Sequence, residues 1–142
     1  MASNRHISRV AVVQALFAWE VRGKDAEGIL DYILDQFYPK LVDRKFPHEN
    51  LKGVLEKRET IKEIIAETAP EWAFEKIAPI DRVILELGVF EIINSEEVPP
   101  IVAINEAIEI AKEFGGENSA KFINGVLSTV MKKYRPISNE SK

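Results

Sequence analysis

The chain has 142 residues, of which 46% are hydrophobic and 30% are charged, so it reads as one globular domain with a substantial core and not as a disordered chain. Cysteine is absent, which excludes disulfides, zinc–thiolate sites and cysteine nucleophiles. Because there is neither a signal peptide nor an apolar run of about 18 residues, the sequence predicts a cytoplasmic protein.

The N-terminal half of the sequence predicts three helices. The first begins at a Ser3 cap, ends at Gly23 and is apolar almost all round. The second begins near Asp25 and stops at Pro39, and a long third helix closes at Pro70. The apolar stripes predicted for the first two helices are Ile7, Val10, Phe17 and Val21, and then Ile29, Ile33 and Phe37.

The C-terminal half predicts further helices separated by proline and glycine. Pro79 begins a mostly apolar, central helix. A loop punctuated by Pro99 and Pro100 follows, and the next helix ends at Gly115-Gly116. The last helix has an apolar stripe formed by Ile123, Val126, Leu127 and Val130, and Phe122 lies off this stripe.

These patterns predict an all-α fold of about seven helices with no strand. The charge shift along the chain and the Pro70–Pro79 segment predict two packed helical subdomains that share one core, about 1–78 and about 79–136. A short flexible tail is expected over 137–142.

Charge is distributed unevenly. Residues 1–24 carry a net +3 and residues 119–142 a net +4, whereas residues 25–118 carry a net −11. If the two ends meet in the fold, they form a basic patch on an acidic body, which suits a polyanion such as nucleic acid. Basic termini also arise by chance, and both interpretations stay open at this point.

The sequence shows no catalytic or metal-binding motif. His6 and His48 are far apart and neither belongs to a metal-ligand pattern, and no phosphate-binding glycine loop or nucleophile elbow is present. Glu106, Glu109 and Glu113 share a helix face that is best explained as solvated. We therefore expect a protein that is not an enzyme and has no cofactor or bound metal.

Two groups of residues are candidates for binding. Arg5 and Arg9 lie four residues apart near a helix N-terminus, where the helix dipole disfavours cations unless an anion binds there. Phe122 lies beside Asn118 and Lys121, a combination that offers a stacking ring, an amide for a base edge and a cation for a phosphate. Solubilising arginines and a phenylalanine buried against another helix are the alternatives.

Three segments resemble the NusB family of bacterial transcription antitermination factors. They are "RHISRVAVVQALFAWE" at 5–20, "IDRVILELGVFEI" at 80–92 and "VPPIVAINEAIEIAKEFGGENSAKFINGVL" at 98–127. The resemblance implies an all-helical, non-enzymatic RNA-binding protein with a NusB-like bundle. It also implies binding to the boxA element of nascent ribosomal RNA together with the ribosomal protein NusE, as part of an RNA polymerase complex that reads through terminators.

The resemblance also implies roles for individual positions. The RNA contacts of the family fall on Arg5, His6, Arg9, Asn118, Lys121 and Phe122. Contacts to the protein partner fall on Phe17, Glu75 and Asp81. His6 departs from the arginine that is more usual in the family, and Asn118 replaces a frequent aspartate, which removes a negative charge from the RNA surface.

The alternative to an RNA-binding factor is a non-catalytic helical adaptor or a homodimer. The same helical module is fused to ribosomal RNA cytosine methyltransferases, and the chain could be related to that accessory module. In such a protein Phe122 and the arginines would be interface anchors.

Overall fold

A computed structural model describes residues 3–71 and 73–136 of the chain. This described part contains seven α-helices and one short 3₁₀ helix and no strand, so the prediction of an all-α fold is confirmed. None of these helices is both long and apolar enough to cross a membrane. The helices are α1 (Asn4–Arg22), α2 (Ala26–Phe37), α3 (Lys45–Glu56), α4 (Arg58–Thr68), the 3₁₀ helix (Phe74–Lys76), α5 (Pro79–Asn94), α6 (Pro100–Phe114) and α7 (Glu117–Tyr134).

Local sequence signals determine most of the helix ends. The Ser3 hydroxyl accepts a hydrogen bond from the backbone N–H of His6, which satisfies one of the free donors at the start of α1. Gly23 ends α1 with a φ of 81°, a left-handed conformation that glycine adopts without a steric penalty. Pro79 and Pro100 each occupy the first position of their helix, where a missing N–H costs nothing.

Two details of the predicted helices are wrong. The long third helix is two helices, because Lys57 leaves the helical conformation (φ −106°, ψ 17°) and ends α3. The apolar stripes predicted for α1 and α2 are also wrong in part: Val10 and Ile33 are buried, whereas Phe17, Val21 and Phe37 are 40%, 79% and 65% exposed. Nearly every side of α1 is apolar, so hydrophobic periodicity could not determine which side is buried.

The first compact unit comprises residues 1–57. Its three helices α1, α2 and α3 pack against one another. The buried residues of this core come mainly from the middle of α1 and from one face of each of the other two helices. They include Val12, Val13, Leu16, Leu30, Leu34, Leu51 and Val54.

The second compact unit begins at residue 58 and is organised around α5. This helix packs against α4, α6 and α7, and α4 also packs against α7. Ten of the sixteen α5 residues are buried, as expected for a central helix. The stripe predicted for α7 is confirmed, because Ile123, Val126, Leu127 and Val130 are all buried.

The boundary between the units differs from the one that the sequence suggested. The sequence suggested a division near residue 78, whereas the structure divides the chain after Lys57. The physical reason is that α4 packs against α5 and α7 and therefore belongs to the C-terminal unit. The predicted flexible tail at 137–142 lies outside the described residues.

A buried ion pair joins α4 to α5. The Arg58 Nε donates to Glu86 Oε2 at 3.1 Å, and the Glu86 side chain is completely buried while that of Arg58 is 23% exposed. Removing one partner from a buried ion pair leaves an uncompensated charge, whereas replacing both with apolar groups is often neutral or stabilising.

We expect Arg58→Met to lower the free energy of unfolding by about 3–5 kcal/mol, because Glu86 keeps its charge in the core. The double variant Arg58→Met/Glu86→Met is expected to recover most of this loss. Equilibrium urea unfolding measures both, with Glu63→Met on the exposed side of α4 as the control. A loss in Arg58→Met no larger than that in the control would contradict a stabilising role for the pair.

A histidine joins α2 to α3 in the first unit. His48 Nδ1 lies 2.7 Å from Glu27 Oε1, and His48 Nε2 lies 2.7 Å from Asp31 Oδ1. Partial burial lowers the pKa of His48, but the hydrogen bonds and negative charges of Glu27 and Asp31 outweigh it, so the net pKa is raised above 6.5. The protonated ring donates to both carboxylates, which ties the two helices together.

This raised pKa predicts a pH-dependent contribution to stability. The contribution is complete below the unfolded-state pKa of 6.5 and is lost as the pH rises through the higher folded-state pKa. We expect the difference in melting temperature between wild type and His48→Gln to be largest near pH 6 and to shrink toward about pH 9. A histidine titration by NMR in wild type and in Glu27→Gln/Asp31→Asn gives the pKa of His48 directly. An equal pKa of His48 in both proteins would show that Glu27 and Asp31 do not stabilise the protonated ring.

Candidate nucleic-acid interface

The N-terminal turns of α1 bring two arginines to one aromatic ring. The guanidinium carbon of Arg5 lies 3.8 Å from the centroid of Phe46, and that of Arg9 lies 5.1 Å from it. Both distances are in the range of cation–π interactions. The i, i+4 spacing therefore places both arginines on the same side of α1, as predicted.

The two arginines differ in accessibility. Arg5 is exposed and His6 is half-buried, whereas Arg9 is only 3% exposed. Arg5 and His6 are thus the members of this group that reach the surface. Because Arg9 is buried, we interpret it as a residue that supports Arg5 and His6 from inside the fold. The spacing of the arginines in the sequence did not indicate this difference in burial.

A second group lies on the N-terminal half of α7. Asn118 and Lys121 are exposed and Phe122 is half-buried, which agrees with the prediction that Phe122 lies off the buried stripe. Phe122 and Asn118 line an open pocket of about 320 Å³ together with Ser119, Asp81 and the Lys76–Ala78 segment. An aromatic ring that lines such a pocket offers a face on which a planar base can stack.

Asp81 forms the buried side of this pocket. The residue is 8% exposed, and its Oδ1 has no hydrogen-bond partner among the residues that the structure describes. Burial raises the pKa of Asp81, and a hydrogen bond from Ser119 opposes the increase. Asp81 was predicted to contact a protein partner, but it lies next to Phe122, which was predicted to contact RNA.

The remaining residues predicted to contact a protein are on the surface. Phe17 is 40% exposed on α1, and Glu75 is exposed in the 3₁₀ helix. Arg82 holds the 3₁₀ segment against α5, because its Nη1 donates to the backbone carbonyls of Glu75 and Ile77 at 3.3 and 2.9 Å. This anchoring fixes the backbone of Glu75 relative to Asp81.

The structure therefore collects these predicted site residues into two separate groups, one in each unit. In the first unit it brings Arg5 and Arg9 together, and in the second unit it brings Asn118, Phe122 and Asp81 around one pocket. Because α1 and α7 belong to different units, the meeting of the two basic ends stays a prediction.

Sequence reasoning missed two contributors to these groups. Phe46 stacks with the arginines from the start of α3, and Ser119 hydrogen-bonds Asp81 from α7. No spacing signal could have found either residue, because each contact joins two helices that are distant along the chain.

The side chains of these groups are of the kinds that nucleic-acid-binding sites use. They combine cations, amides and aromatic rings, which suit phosphates, base edges and base faces. Within residues 3–71 and 73–136, no three His, Asp or Glu side chains are arranged to hold a metal ion.

The described residues thus form a small all-α protein with one group of basic and aromatic side chains in each unit. Residues 6–132 match the model of the NusB family. The chain belongs to the NusB family.

Curated relatives agree with this assignment over nearly their whole length. A transcription antitermination protein NusB from Dehalococcoides mccartyi is 39% identical over 99% of this chain and 98% of the relative. The one from Halalkalibacterium halodurans is 35% identical over 94% of this chain and 97% of the relative. These relatives are named as antitermination proteins and not as enzymes, in agreement with the prediction that the chain is not an enzyme.

Solved structures show the same fold. The T. maritima NusB structure has a TM-score of 0.84 and 35% identity, and each chain is covered completely. A structure of the antitermination factors NusB and NusE in complex with dsRNA has a TM-score of 0.83 over 94% of this chain and all of that one. Its sequence identity of 22% supports the likeness of the fold alone.

Burial of Asp81 predicts a measurable pH effect. The folded-state pKa of Asp81 is raised above 3.8, so folding favours the protonated carboxyl. The stability that this preference contributes is fully present below pH 3.8 and is lost as the pH rises through the folded-state pKa. We expect Asp81→Asn to match wild type at about pH 3.5 and to gain melting temperature relative to it toward about pH 7. A difference that is independent of pH would contradict a raised pKa of Asp81.

Proposed function

We propose that the chain binds single-stranded boxA RNA of nascent ribosomal transcripts together with NusE. In this role it joins the antitermination complex of RNA polymerase, which then reads through terminators. Membership of the NusB family supports the proposal, as do the names of the relatives as transcription antitermination proteins. The neighbour that contains NusB, NusE and dsRNA supports RNA and NusE as partners.

The observation that carries the proposal is the position of Phe122. Phe122 is half-buried and lines a pocket that Asn118 also lines, and the exposed cation of Lys121 is one residue before it. Phe122 would stack on a base, Asn118 would hydrogen-bond a base edge, and Lys121 would contact a phosphate. In the first unit, Arg5 and His6 would contact the RNA backbone with Arg9 beneath them.

NusE would bind through the exposed ring of Phe17 and the acidic residues Glu75 and Asp81. Residues 25–118 carry a net charge of −11, which suits a basic ribosomal protein. The position of Asp81 beside Phe122 would put RNA and NusE contacts side by side, so that each ligand would favour the other.

A second candidate function is a protein-binding adaptor or a homodimer. It is supported by exposed apolar residues on α6, where Ile101, Val102 and Phe114 are 51%, 40% and 42% exposed. Salt separates the two functions. RNA binding through about four phosphates gives a log–log salt slope near −3, whereas an apolar interface responds weakly.

We expect Phe122→Ala to lose most of the preference for boxA RNA over a scrambled strand, because base stacking contributes about 1–3 kcal/mol per base. Lys121→Ala is expected to weaken both RNAs equally and to reduce the salt slope by about 0.7. The measurement is a fluorescence titration with each RNA at two salt concentrations, with and without NusE.

Two variants serve as matched controls. Phe114→Ala removes an exposed ring elsewhere in the same unit, and Lys132→Ala removes a cation near the other end of α7. Both are expected to bind like wild type. The RNA-binding proposal fails if wild type shows no boxA preference even with NusE present, and a concentration-dependent dimer would then favour the second function.

A further inference from the structure

The ring of Phe46 supports the arginine group of the first unit. Arg5 and Arg9 both place their guanidinium carbons within 5.1 Å of its centroid, and Arg5 at 3.8 Å is at stacking distance. Phe46 is 8% exposed, so its ring is shielded almost completely from solvent. Only Arg5 of the two arginines is exposed.

The position of the ring is fixed by the start of α3. The Asp43 carboxylate accepts hydrogen bonds from the backbone N–H groups of Lys45 and Phe46 at 3.0 and 3.3 Å, which holds the first turn of the helix. His48, two residues further along, ties the same turn to Glu27 and Asp31 of α2. These contacts leave Phe46 little freedom to move away from Arg5.

A stacked guanidinium binds a phosphate at a lower entropic cost than a freely rotating one. An arginine side chain has many rotamers, and ordering it on binding reduces affinity. A ring face holds the planar guanidinium in one orientation, and a guanidinium in a fixed orientation donates two parallel hydrogen bonds to a phosphate with less loss of entropy.

We propose that Phe46 is a positioning residue of the RNA interface. Its ring holds the guanidinium of Arg5 in the orientation that binds a phosphodiester group. The buried guanidinium of Arg9 contacts the same ring and helps to fix its position. Arg5 is then the arginine that contacts the phosphate. This proposal rests on the proposed RNA-binding function, and it adds a residue that the family resemblance does not assign.

The experiment is a double-mutant cycle on the whole protein with boxA RNA as the probe. Phe46→Leu removes the ring and keeps an apolar side chain, and Arg5→Lys keeps the charge and removes the planar group. We expect each single variant to weaken binding by about two- to tenfold, since that is the cost of ordering one long side chain. The double variant is expected to bind no more weakly than Arg5→Lys alone.

Two further readouts separate positioning from a structural role. Phe46→Leu retains both cations, so the salt slope of its RNA binding is expected to equal that of wild type. Phe46→Tyr keeps the ring and is expected to bind RNA with the wild-type affinity.

In the free protein, the NMR signals of the Arg5 side-chain protons are expected to lie upfield of those of Arg22, an exposed arginine at the other end of α1. This shift depends on the ring and is measured without RNA.

The outcomes distinguish the two proposals. If wild type prefers boxA RNA but Phe46→Leu lowers affinity equally in the wild-type and Arg5→Lys backgrounds, Phe46 acts only through the fold and the positioning role is wrong. The same conclusion follows if Arg5 and Arg22 show equal shifts, a result that does not require Phe46→Leu to fold. If wild type has no RNA preference, the proposed function fails first, and this inference fails with it.

Discussion

Burial of α5 on nearly every side is the constraint on which the second unit depends. The helix is covered by α4, α6 and α7, and at Gly88 an added Cβ would lie 2.7 Å from Leu127 Cδ1. This close approach of α5 and α7 sets the position of the α7 residues that precede Leu127. The pocket between Asp81 on α5 and Phe122 on α7 is therefore a consequence of core packing, because both residues lie on helices that contact each other directly.

Charged groups in both units are held by specific partners. Glu86 is completely buried and accepts a hydrogen bond from Arg58, while His48 lies between two carboxylates. Such groups add less to stability than apolar packing, but they restrict how the helices can be arranged, since a shifted helix would leave a charge unpaired. Binding surfaces gain from this restriction, because preorganised side chains lose less entropy when a ligand binds.

The helices themselves could be predicted well from the sequence, because their signals are local. Ser3, Gly23 and Pro79 act within one turn of their own positions, and the structure uses each of them as predicted, whereas Pro100 was predicted to lie in a loop and is the first residue of α6. The break at Lys57 was missed, since no proline or glycine marks it. The exposed face of α1 was also missed, because a helix that is apolar all round gives no periodic signal.

The sequence by itself determined the fold class, the buried stripe of α7, the off-stripe position of Phe122 and the family resemblance, all of which depend on residues close together along the chain. Only the tertiary structure decided that Arg9 is buried, that Phe46 stacks beneath Arg5 and that Asp81 shares a pocket with Phe122. These contacts join helices that are distant in sequence. Their geometry follows from how whole helices pack, which no local pattern records.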